Sequence, residues 1–555
     1  MKVLICCLNS KYIHASLAPW CLASGVKEFG KASCEVVVKE TTINKPVSEF
    51  VDVIISENPQ VVSFSCYIWN IEKTLEICKE VKEKTGAFII LGGPEVSYRA
   101  NAVVSAYPFV DFVLSGEGEK TYPALLDAIC FKTSLKSVQG LTYRAADGVV
   151  SVPEGCYEGT PPSPYTDEFY NNLKGRISYI ETSRGCPYRC AFCLSGRCSS
   201  LRFFDLEKIK KDIINLANSG TKTVKFVDRT FNADYKRANE IFKFIIENRG
   251  VAFPENVCFH FEIAGDILKE ETFEILESAP KRLFQLEIGM QTFNEDTLKL
   301  INRKTDSKTL IENIKRLVSL GNMHIHIDLI AGLTGEDIKS FERSFDIGYS
   351  LGANMLQMGF LKLLYGAEMR ENPEKYPCEF TEKPPYEVIE TPWLSNEDVL
   401  KLKKTEDALE RMYNSGRFLF TLEYILSRTD FTPFKLFSAF GEFTDGTNMD
   451  LSDYAVKIYE FFSPLTDKDL LREAIICDLL SCSSALQIPE VFKIKDKLYK
   501  KVKKHFASKK DGFYKIAILY KTQKVFVVNQ GSEKDFFGRY TSKLFDLNEF
   551  VNNVG

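Results

Sequence analysis

Apolar and polar positions alternate with two different periods over the first 130 residues. Short apolar runs separated by longer stretches of helical periodicity predict five strands, at residues 2–7, 34–38, 61–66, 88–91 and 112–114. Strands that alternate with helices are typical of a parallel sheet. The pattern therefore predicts a doubly wound, Rossmann-like α/β domain over residues 1–135, in which ligands bind outside the carboxyl ends of the strands.

The same alternation of strand and helix repeats six times between residues 175 and 380. The predicted strands lie at residues 177–183, 224–228, 258–263, 283–288, 325–329 and 355–360. Six consecutive units predict a partial parallel (β/α)6 barrel, whose chemistry is expected at the carboxyl ends of its strands. Residues 136–174, rich in proline and glycine, are predicted to be a linker.

Beyond about residue 380 the pattern changes to that of a mainly helical domain, predicted over residues 381–555. Amphipathic helices are predicted at residues 396–414, 451–461 and 468–480, and a short hairpin at residues 514–519 and 525–529. The lysine-rich segment 493–510 is interpreted as a solvated helix face. A nucleic-acid surface is the alternative for it.

Length and composition fit three folded domains, because 555 residues exceed one ordinary core. The net charge of −4 gives no general attraction to nucleic acid or to an anionic membrane. No apolar run reaches the roughly 20 residues that cross a bilayer, and the first residues resemble a buried strand rather than a signal peptide. Together with sixteen dispersed cysteines, this predicts a cytoplasmic protein without a membrane partner.

Three cysteines in one short loop are the strongest chemical signal. Cys186, Cys190 and Cys193 have the spacing C-x3-C-x2-C, which can hold three irons of a [4Fe-4S] cluster and leave the fourth iron open to a ligand. Ordinary buried thiols or a zinc site are the alternatives, although zinc sites usually use two separated pairs. Cys198 is interpreted as a free thiol, with a fourth-ligand role as the alternative. An auxiliary cluster that involves Cys198, Cys258 or Cys378 is left open.

The spacing of the cysteines, Phe192 before the third of them and the strand that precedes the loop resemble the radical S-adenosylmethionine (SAM) superfamily. The resemblance implies a six-stranded barrel and a SAM molecule chelated to the open iron. Reductive cleavage of SAM would generate a 5'-deoxyadenosyl radical. An external one-electron reductant such as flavodoxin or ferredoxin, and an anaerobic setting, are implied as well.

Polar residues at the ends of the predicted barrel strands are the expected SAM contacts, with salt bridges inside the barrel as the alternative role. The stretch from residue 288 to 303 and the segment that begins at residue 328 resemble the coproporphyrinogen-dehydrogenase-like and cobalamin-dependent branches of the superfamily. On that match Gln291, Arg303 and Asp328 are favoured. Phe192 is expected near adenine or, equally, in the core. The full set of expected cofactor contacts in the barrel is Phe192, Asp228, Glu262, Glu287, Gln291, Arg303 and Asp328.

Two glycine-containing turns follow the last two predicted strands of the first domain. Placed before a radical SAM cluster, Gly92-Gly93 and Gly116-Glu117-Gly118 resemble the cobalamin-binding domain of cobalamin-dependent radical SAM enzymes. The resemblance implies that these five residues contact cobalamin. The motif Asp-x-His-x-x-Gly, whose histidine ligates cobalt from below, does not occur in the sequence, and His14 is given no role.

The resemblance continues through residues 356–364, 393–404 and 413–418 to a subgroup with an uncharacterised C-terminal domain. It implies a cobalamin-dependent radical SAM enzyme that methylates or rearranges an unidentified small-molecule or peptide substrate. A methylthiotransferase is one alternative, because Cys7 and Cys66 occupy two strand ends that hold a second cluster in that group; Pro94 occupies the third. A noncatalytic corrinoid or iron–sulfur carrier is the other.

Overall fold

A computed structural model describes residues 1–155, 157–197, 200–482, 488–493, 496–507 and 513–551. Cys198 and parts of the lysine-rich segment 493–510 lie outside the described residues. No helix in the described part of the chain combines the length and the apolarity that crossing a bilayer requires.

The N-terminal domain is a seven-stranded sheet with helices on both faces. Its elements are β1 (Lys2–Asn9), α1 (Ala18–Phe29), β2 (Glu35–Thr42), α2 (Val47–Ser56), β3 (Val61–Ser65), α3 (Ile71–Thr85), β4 (Phe88–Gly92), α4 (Pro94–Ser97), α5 (Ala100–Ala106), β5 (Phe112–Leu114), α6 (Gly118–Phe131), β6 (Leu141–Ala145) and β7 (Gly148–Ser151).

The strand order is β2-β1-β3-β4-β5-β6-β7, and the first five strands are parallel. β6 and β7 form an antiparallel hairpin on the β5 edge, so part of the segment 136–174 predicted as a linker belongs to this sheet. The sheet separates two apolar cores, one around Phe64 and Ile89 and the other around Ile90 and Tyr122. In this doubly wound architecture, the loops after β4 and β5 both lie at the carboxyl ends of the parallel strands.

The central domain is a six-stranded parallel sheet in the order β15-β14-β13-β12-β11-β8. Its elements are α7 (Asp167–Asn171), β8 (Ile177–Ile180), β9 (Ser183–Arg184), β10 (Arg202–Phe203), α8 (Leu206–Ala217), β11 (Thr223–Phe226), α9 (Tyr235–Asn248), β12 (Cys258–Ile263), α10 (Glu270–Glu277), β13 (Phe284–Gln291), α11 (Glu295–Leu300), α12 (Ser307–Leu320), β14 (His324–Ala331), α13 (Ile338–Ser350) and β15 (Met355–Phe360).

Four barrel helices begin at an aspartate whose side chain caps the first turn. Asp205, Asp234, Asp306 and Asp337 each accept a hydrogen bond from a backbone N–H of the helix that follows. Such caps satisfy amides that have no partner within the helix and fix where each helix begins.

Both outer strands of the barrel sheet are covered by neighbouring domains. The backbone N–H of Ile177 on β8 donates to the carbonyl of Ile13 in the N-terminal domain at 2.7 Å. At the other edge, the side-chain amide of Asn414 pairs with both backbone groups of Leu356 on β15, at 3.0 and 2.9 Å. The backbone groups of Ile177 and Leu356 that these contacts involve are therefore hydrogen-bonded and cannot pair with a further strand.

The C-terminal domain is mainly helical and ends in a three-stranded antiparallel sheet, one strand more than the predicted hairpin. Its elements are α14 (Glu368–Glu371), β16 (Glu379–Phe380), β17 (Val388–Glu390), α15 (Asn396–Leu409), a π-helical turn (Glu410–Asn414), α16 (Leu419–Arg428), α17 (Pro433–Thr444), α18 (Leu451–Phe462), α19 (Lys468–Cys482), α20 (Lys497–Ala507), β18 (Tyr514–Leu519), β19 (Lys524–Asn529), β20 (Ser542–Asp546) and α21 (Asn548–Val551).

One continuous apolar core joins the barrel to this domain. Phe345 on α13 packs edge-on against Phe434 and Phe437 on α17, with ring centroids 5.6 and 6.0 Å apart. α20 covers the last sheet through a separate small core around Val502 and Phe506. The barrel and most of the C-terminal domain consequently share one buried interior.

Candidate functional site

The three motif cysteines lie in a loop that leaves the carboxyl end of β8 and is closed at its base by the β9–β10 pair. Cys190 is buried, whereas Cys186 and Cys193 are half-buried, and all three thiols are free. Gly185 has a φ of +102°, and a Cβ there would lie 2.1 Å from the carbonyl oxygen of Ser200. Only glycine fits at this turn into the loop. Three thiols in one tight loop form a donor set that fits an iron–sulfur cluster.

Arg303 places a cation beside the cysteine loop. Its Nη1 donates to the Sγ of Cys190 at 3.7 Å, and its Nη2 donates to the carbonyl of Gly289. Burial raises the pKa of the Cys190 thiol, and the neighbouring guanidinium opposes that shift. A positive charge at this distance would stabilise a thiolate that ligates iron.

The three favoured SAM contacts lie at one end of the barrel, and two of them hold buried polar atoms that have no partner among the described residues. These atoms are the Oε1 of Gln291 and the Nε of Arg303. Gln291 also has a φ of +70°, a strained conformation that is common at ligand sites. Asp328, on the neighbouring strand, has its Oδ1 3.0 Å from the Nε2 of His326. The free polar atoms fit a polar ligand such as SAM.

Asp228 faces the root of the cysteine loop. It is 1% exposed, and it accepts hydrogen bonds from the backbone N–H and the hydroxyl of Thr182, at 3.1 and 2.7 Å, and from the hydroxyl of Ser183. Burial raises the pKa of Asp228 to about 6. The visible role of Asp228 is to anchor the loop, and its expected contact with SAM stays a prediction.

Glu262 and Glu287 take part in ion pairs inside the barrel. The Nζ of Lys225 lies 3.4 Å from Glu262 and 3.1 Å from Glu287, and the Nε2 of His260 is 2.8 Å from Glu287. Burial would raise the pKa of Glu287, but His260 and Lys225 lower it to about 2. For Glu262 burial prevails and its pKa is raised.

Lys225, His260 and His326 were missed by the sequence analysis, which considered mainly acidic residues. The alternation of side chains along β11, β12 and β14 would have placed them on the inner face of the barrel. Phe192 packs against an apolar cluster that contains Ile301 and Leu361, as expected for a core aromatic. Its proximity to adenine stays a prediction.

A cavity of about 640 Å³ lies between the N-terminal domain and the barrel. All five predicted cobalamin contacts line it: Gly92, Gly93, Gly116, Glu117 and Gly118. The barrel contributes Tyr179, Glu181, Arg184, Val227 and Arg229. The cavity therefore opens directly toward the strand from which the cysteine loop departs.

The geometry of the cavity fits a large cofactor. Gly93 has a φ of +97°, and a Cβ there would lie 2.6 Å from the carbonyl oxygen of Cys66, so the loop packs closely on β3. Tyr67 and Trp69 stack with parallel rings 4.5 Å apart at the cavity wall. His14 does not point freely into the cavity, because its Nδ1 lies 2.7 Å from the hydroxyl of Tyr179. Apolar walls with few polar groups are typical of cofactor pockets.

Three protein families match the chain in consecutive order. The "B12 binding domain" matches residues 4–126, the "Radical SAM superfamily" matches residues 180–347, and "Protein of unknown function (DUF4080)" matches residues 374–535. The chain therefore contains a region that matches a B12-binding domain, followed by one that matches a radical SAM domain. This confirms the resemblance drawn from the sequence, including the uncharacterised C-terminal domain, and it implies a [4Fe-4S] cluster, SAM and cobalamin as cofactors.

Two curated relatives that this chain matches over part of their length are methyltransferases. It is 29% identical over 304 residues to the 2-(S-pantetheinyl)-carbapenam-3-carboxylate methyltransferase of Streptantibioticus cattleyicolor, covering 51% of this chain and 44% of the relative. It is 28% identical over 316 residues to the cobalamin-dependent radical SAM methyltransferase TokK of Streptomyces tokunonensis, covering 53% and 45%. The chain thus spans less than half the length of either relative.

Solved structures show that the fold is shared. The cobalamin-dependent SAM radical enzyme OxsB matches with a TM-score of 0.62 at 15% identity, covering 91% of this chain and 83% of OxsB. The radical SAM methyltransferase TsrM of Kitasatospora setae matches with a TM-score of 0.55 at 19% identity, covering 67% and 75%. The predicted order of doubly wound domain, barrel and helical domain is confirmed.

Proposed function

We propose that this protein is a cobalamin-dependent radical SAM enzyme that transfers a methyl group to, or rearranges, a small-molecule or peptide substrate. One observation carries the proposal: the cavity that contains both glycine turns is also lined by Glu181 and Arg184, which lead into the cysteine loop. A substrate between the two domains would therefore be near both cofactors.

Different residues of the chain would serve the different cofactors. Cys186, Cys190 and Cys193 would hold three irons, and Gln291, Arg303 and Asp328 would orient SAM. When bound, the cluster supplies the electron that cleaves SAM, and cobalamin supplies a carrier for the methyl group. The N-terminal domain and the walls of the barrel would exclude water from the space between them.

A methylthiotransferase is less well supported. Cys7 is buried beneath the loops and lies 2.7 Å from the Oγ of Ser16, and Pro94 occupies the third strand end. Burial raises the pKa of Cys7 to about 12 and raises that of Cys66 as well. A noncatalytic carrier would need no set of SAM contacts around the cysteine loop.

The cellular setting is part of this proposal. All fourteen cysteines that the structure describes are free, which supports a reducing compartment such as the cytoplasm. The electron would come from an external donor such as flavodoxin or ferredoxin.

Anaerobic reconstitution with iron and sulfide, followed by dithionite and SAM, tests the proposal. We expect 5'-deoxyadenosine from the wild-type protein and none from the Cys186→Ala, Cys190→Ala, Cys193→Ala triple variant. Cys130→Ala is the matched control, because this half-buried thiol lies near the end of α6, outside the loop, and should leave the iron content unchanged. Zinc in the native protein, or a full iron complement in the triple variant, would refute the cluster assignment.

Cobalamin binding is tested separately, by titration with hydroxocobalamin. After reduction of the bound corrinoid to cob(I)alamin by a low-potential donor, transfer of label from methyl-labelled SAM, with release of S-adenosylhomocysteine, tests methylation of the corrinoid. An intact cluster that yields no 5'-deoxyadenosine would favour the carrier instead. A second cluster that is lost in a Cys7→Ala, Cys66→Ala variant would favour the methylthiotransferase.

A further inference from the structure

The base of the cysteine loop is tied to the N-terminal domain by two arginines that share one carboxylate. Arg184 and Arg202 lie opposite each other in the β9–β10 pair that closes the loop. The Nη1 of Arg184 donates to the Oε2 of Glu117 at 2.6 Å, and the Nη2 of Arg202 donates to the same oxygen at 2.7 Å. Glu117 is the central residue of the second glycine turn, so the two loops meet at a single side chain.

The remaining donors of Arg184 are also occupied by carboxylates. Its Nε and Nη2 donate to the two oxygens of Glu181, each at 2.9 Å, and its Nη1 and Nη2 donate to the two oxygens of Glu119. The side chains of Arg184 and Glu119 are only 20% and 8% exposed. Although burial alone would raise the pKa of Glu119, Arg184 holds it below its ordinary value. A planar guanidinium with partners on every nitrogen has little freedom to reorient.

Through these ion pairs, only a few residues separate the cysteine loop from the cavity predicted for cobalamin. Cys186 follows Arg184 by two residues, and Gly116, Glu117 and Gly118 line the cavity predicted for cobalamin. Glu117 is only one-third exposed, and its carboxylate accepts from Arg184 and Arg202. Its side chain thus pairs with the base of the cysteine loop, and Glu117 itself lines the cavity.

We propose that Arg184, Arg202 and Glu117 are positioning residues that couple the iron–sulfur site to the cobalamin site, so that filling either site tightens the other. The inference rests on the proposed function, because both cofactors must bind. A bound cluster would fix the cysteine loop in one conformation, and the ion pairs of Arg184 and Arg202 with Glu117 would transmit that conformation to the glycine turn at the cobalamin cavity. A site that is already ordered binds its ligand at a lower entropic cost. The coupling is reciprocal by thermodynamic necessity.

The test is the affinity of the full-length protein for hydroxocobalamin, measured by fluorescence titration with and without the reconstituted cluster. We expect the cluster to tighten binding by about 5-fold or more, the lower end of typical coupling between sites. Glu117→Gln and Arg184→Gln should each reduce this ratio to about one. Arg197→Gln is the matched control: it lies in the same loop, but its ion pair with Glu371 is exposed on both sides, and the ratio should remain as in wild type.

A spectroscopic readout separates positioning from simple loss of fold. In the wild-type protein the two cofactors should lie at one fixed distance. The reduced cluster should therefore accelerate the electron-spin relaxation of cob(II)alamin by a single, reproducible amount. Arg202→Gln removes one of the two ion pairs to Glu117 at a residue that does not line the cavity, so it should retain its iron content and its 5'-deoxyadenosine formation while this acceleration becomes weaker or heterogeneous.

Two outcomes are distinguishable. A wild-type protein that binds neither hydroxocobalamin nor a cluster would overturn the proposed function itself. A wild type that binds both with an affinity ratio near one, or variants that keep the wild-type ratio and relaxation, would overturn only the coupling.

Discussion

Arg303 offers the sharpest test of how this protein would hold SAM. One end of its guanidinium is fixed by the carbonyl of Gly289 and by the Sγ of Cys190, which lies 3.7 Å from Nη1. Its Nε is buried and has no partner among the described residues. The group is therefore held in place with one donor free, the arrangement expected for a residue that binds an anionic ligand such as the SAM carboxylate.

Replacing Arg303 by glutamine removes the charge and the free donor while keeping a polar side chain of moderate size. A hydrogen bond to a charged group contributes about 1.5–3 kcal/mol, and each 1.4 kcal/mol corresponds to a tenfold change in affinity. We therefore expect Arg303→Gln to weaken SAM binding by about 10- to 100-fold. Isothermal titration of the anaerobically reconstituted protein with SAM measures this directly.

Arg316→Gln serves as the control, because Arg316 pairs with Glu270 in an exposed salt bridge that should contribute little. Iron content must be measured in parallel, since Arg303 also contacts a cluster ligand. An Arg303→Gln protein with a full cluster and unchanged SAM affinity would refute the assignment of Arg303 as a SAM contact.

Three further predictions follow from the packing and charge of the chain. Gly93→Ala should abolish hydroxocobalamin uptake, because the new Cβ would lie 2.6 Å from the carbonyl of Cys66; uptake at wild-type affinity would contradict this. Arg539→Gln should lower the free energy of unfolding in urea by about 3–5 kcal/mol, because it leaves the fully buried Asp478 without its cation; a loss below about 1 kcal/mol would contradict it. The pKa of Glu287, about 2 despite burial, lies below its ordinary 4.5, so its stabilisation is complete above pH 4.5 and is lost toward pH 2. Glu287→Gln should therefore show a smaller loss of stability on acidification, and an unchanged loss would count against the ion pairs.

The positions of most strands in the two α/β domains were predictable because buried parallel strands consist of continuous apolar runs. The hairpin of β6 and β7 was not, because Leu141–Ala145 and Gly148–Ser151 are short and lie at a sheet edge, where polar residues are tolerated. A segment rich in turn residues just after it, at residues 160–164, made the whole region resemble a linker.

The cysteine loop and the glycine turns could be located from local motifs, but their connection could not. Glu117 and Arg184 are 67 residues apart in sequence, and nothing in either motif specifies that they meet. Similarly, the pairing of Lys225 and His260 with Glu287 depends on three neighbouring strands facing one interior. Local patterns define elements and their ends, whereas these ion pairs result from how the domains pack.

The C-terminal domain completes the barrel rather than standing beside it. Asn414 satisfies the backbone of Leu356 at the outer edge of β15, where another strand would otherwise be needed. At the opposite end of the strands from the cofactor site, Arg282 pairs with Glu533, and the ring of Phe536 contacts His324 at the start of β14. Because an uncovered edge strand invites aggregation and an open barrel end admits water, this domain stabilises and closes the barrel.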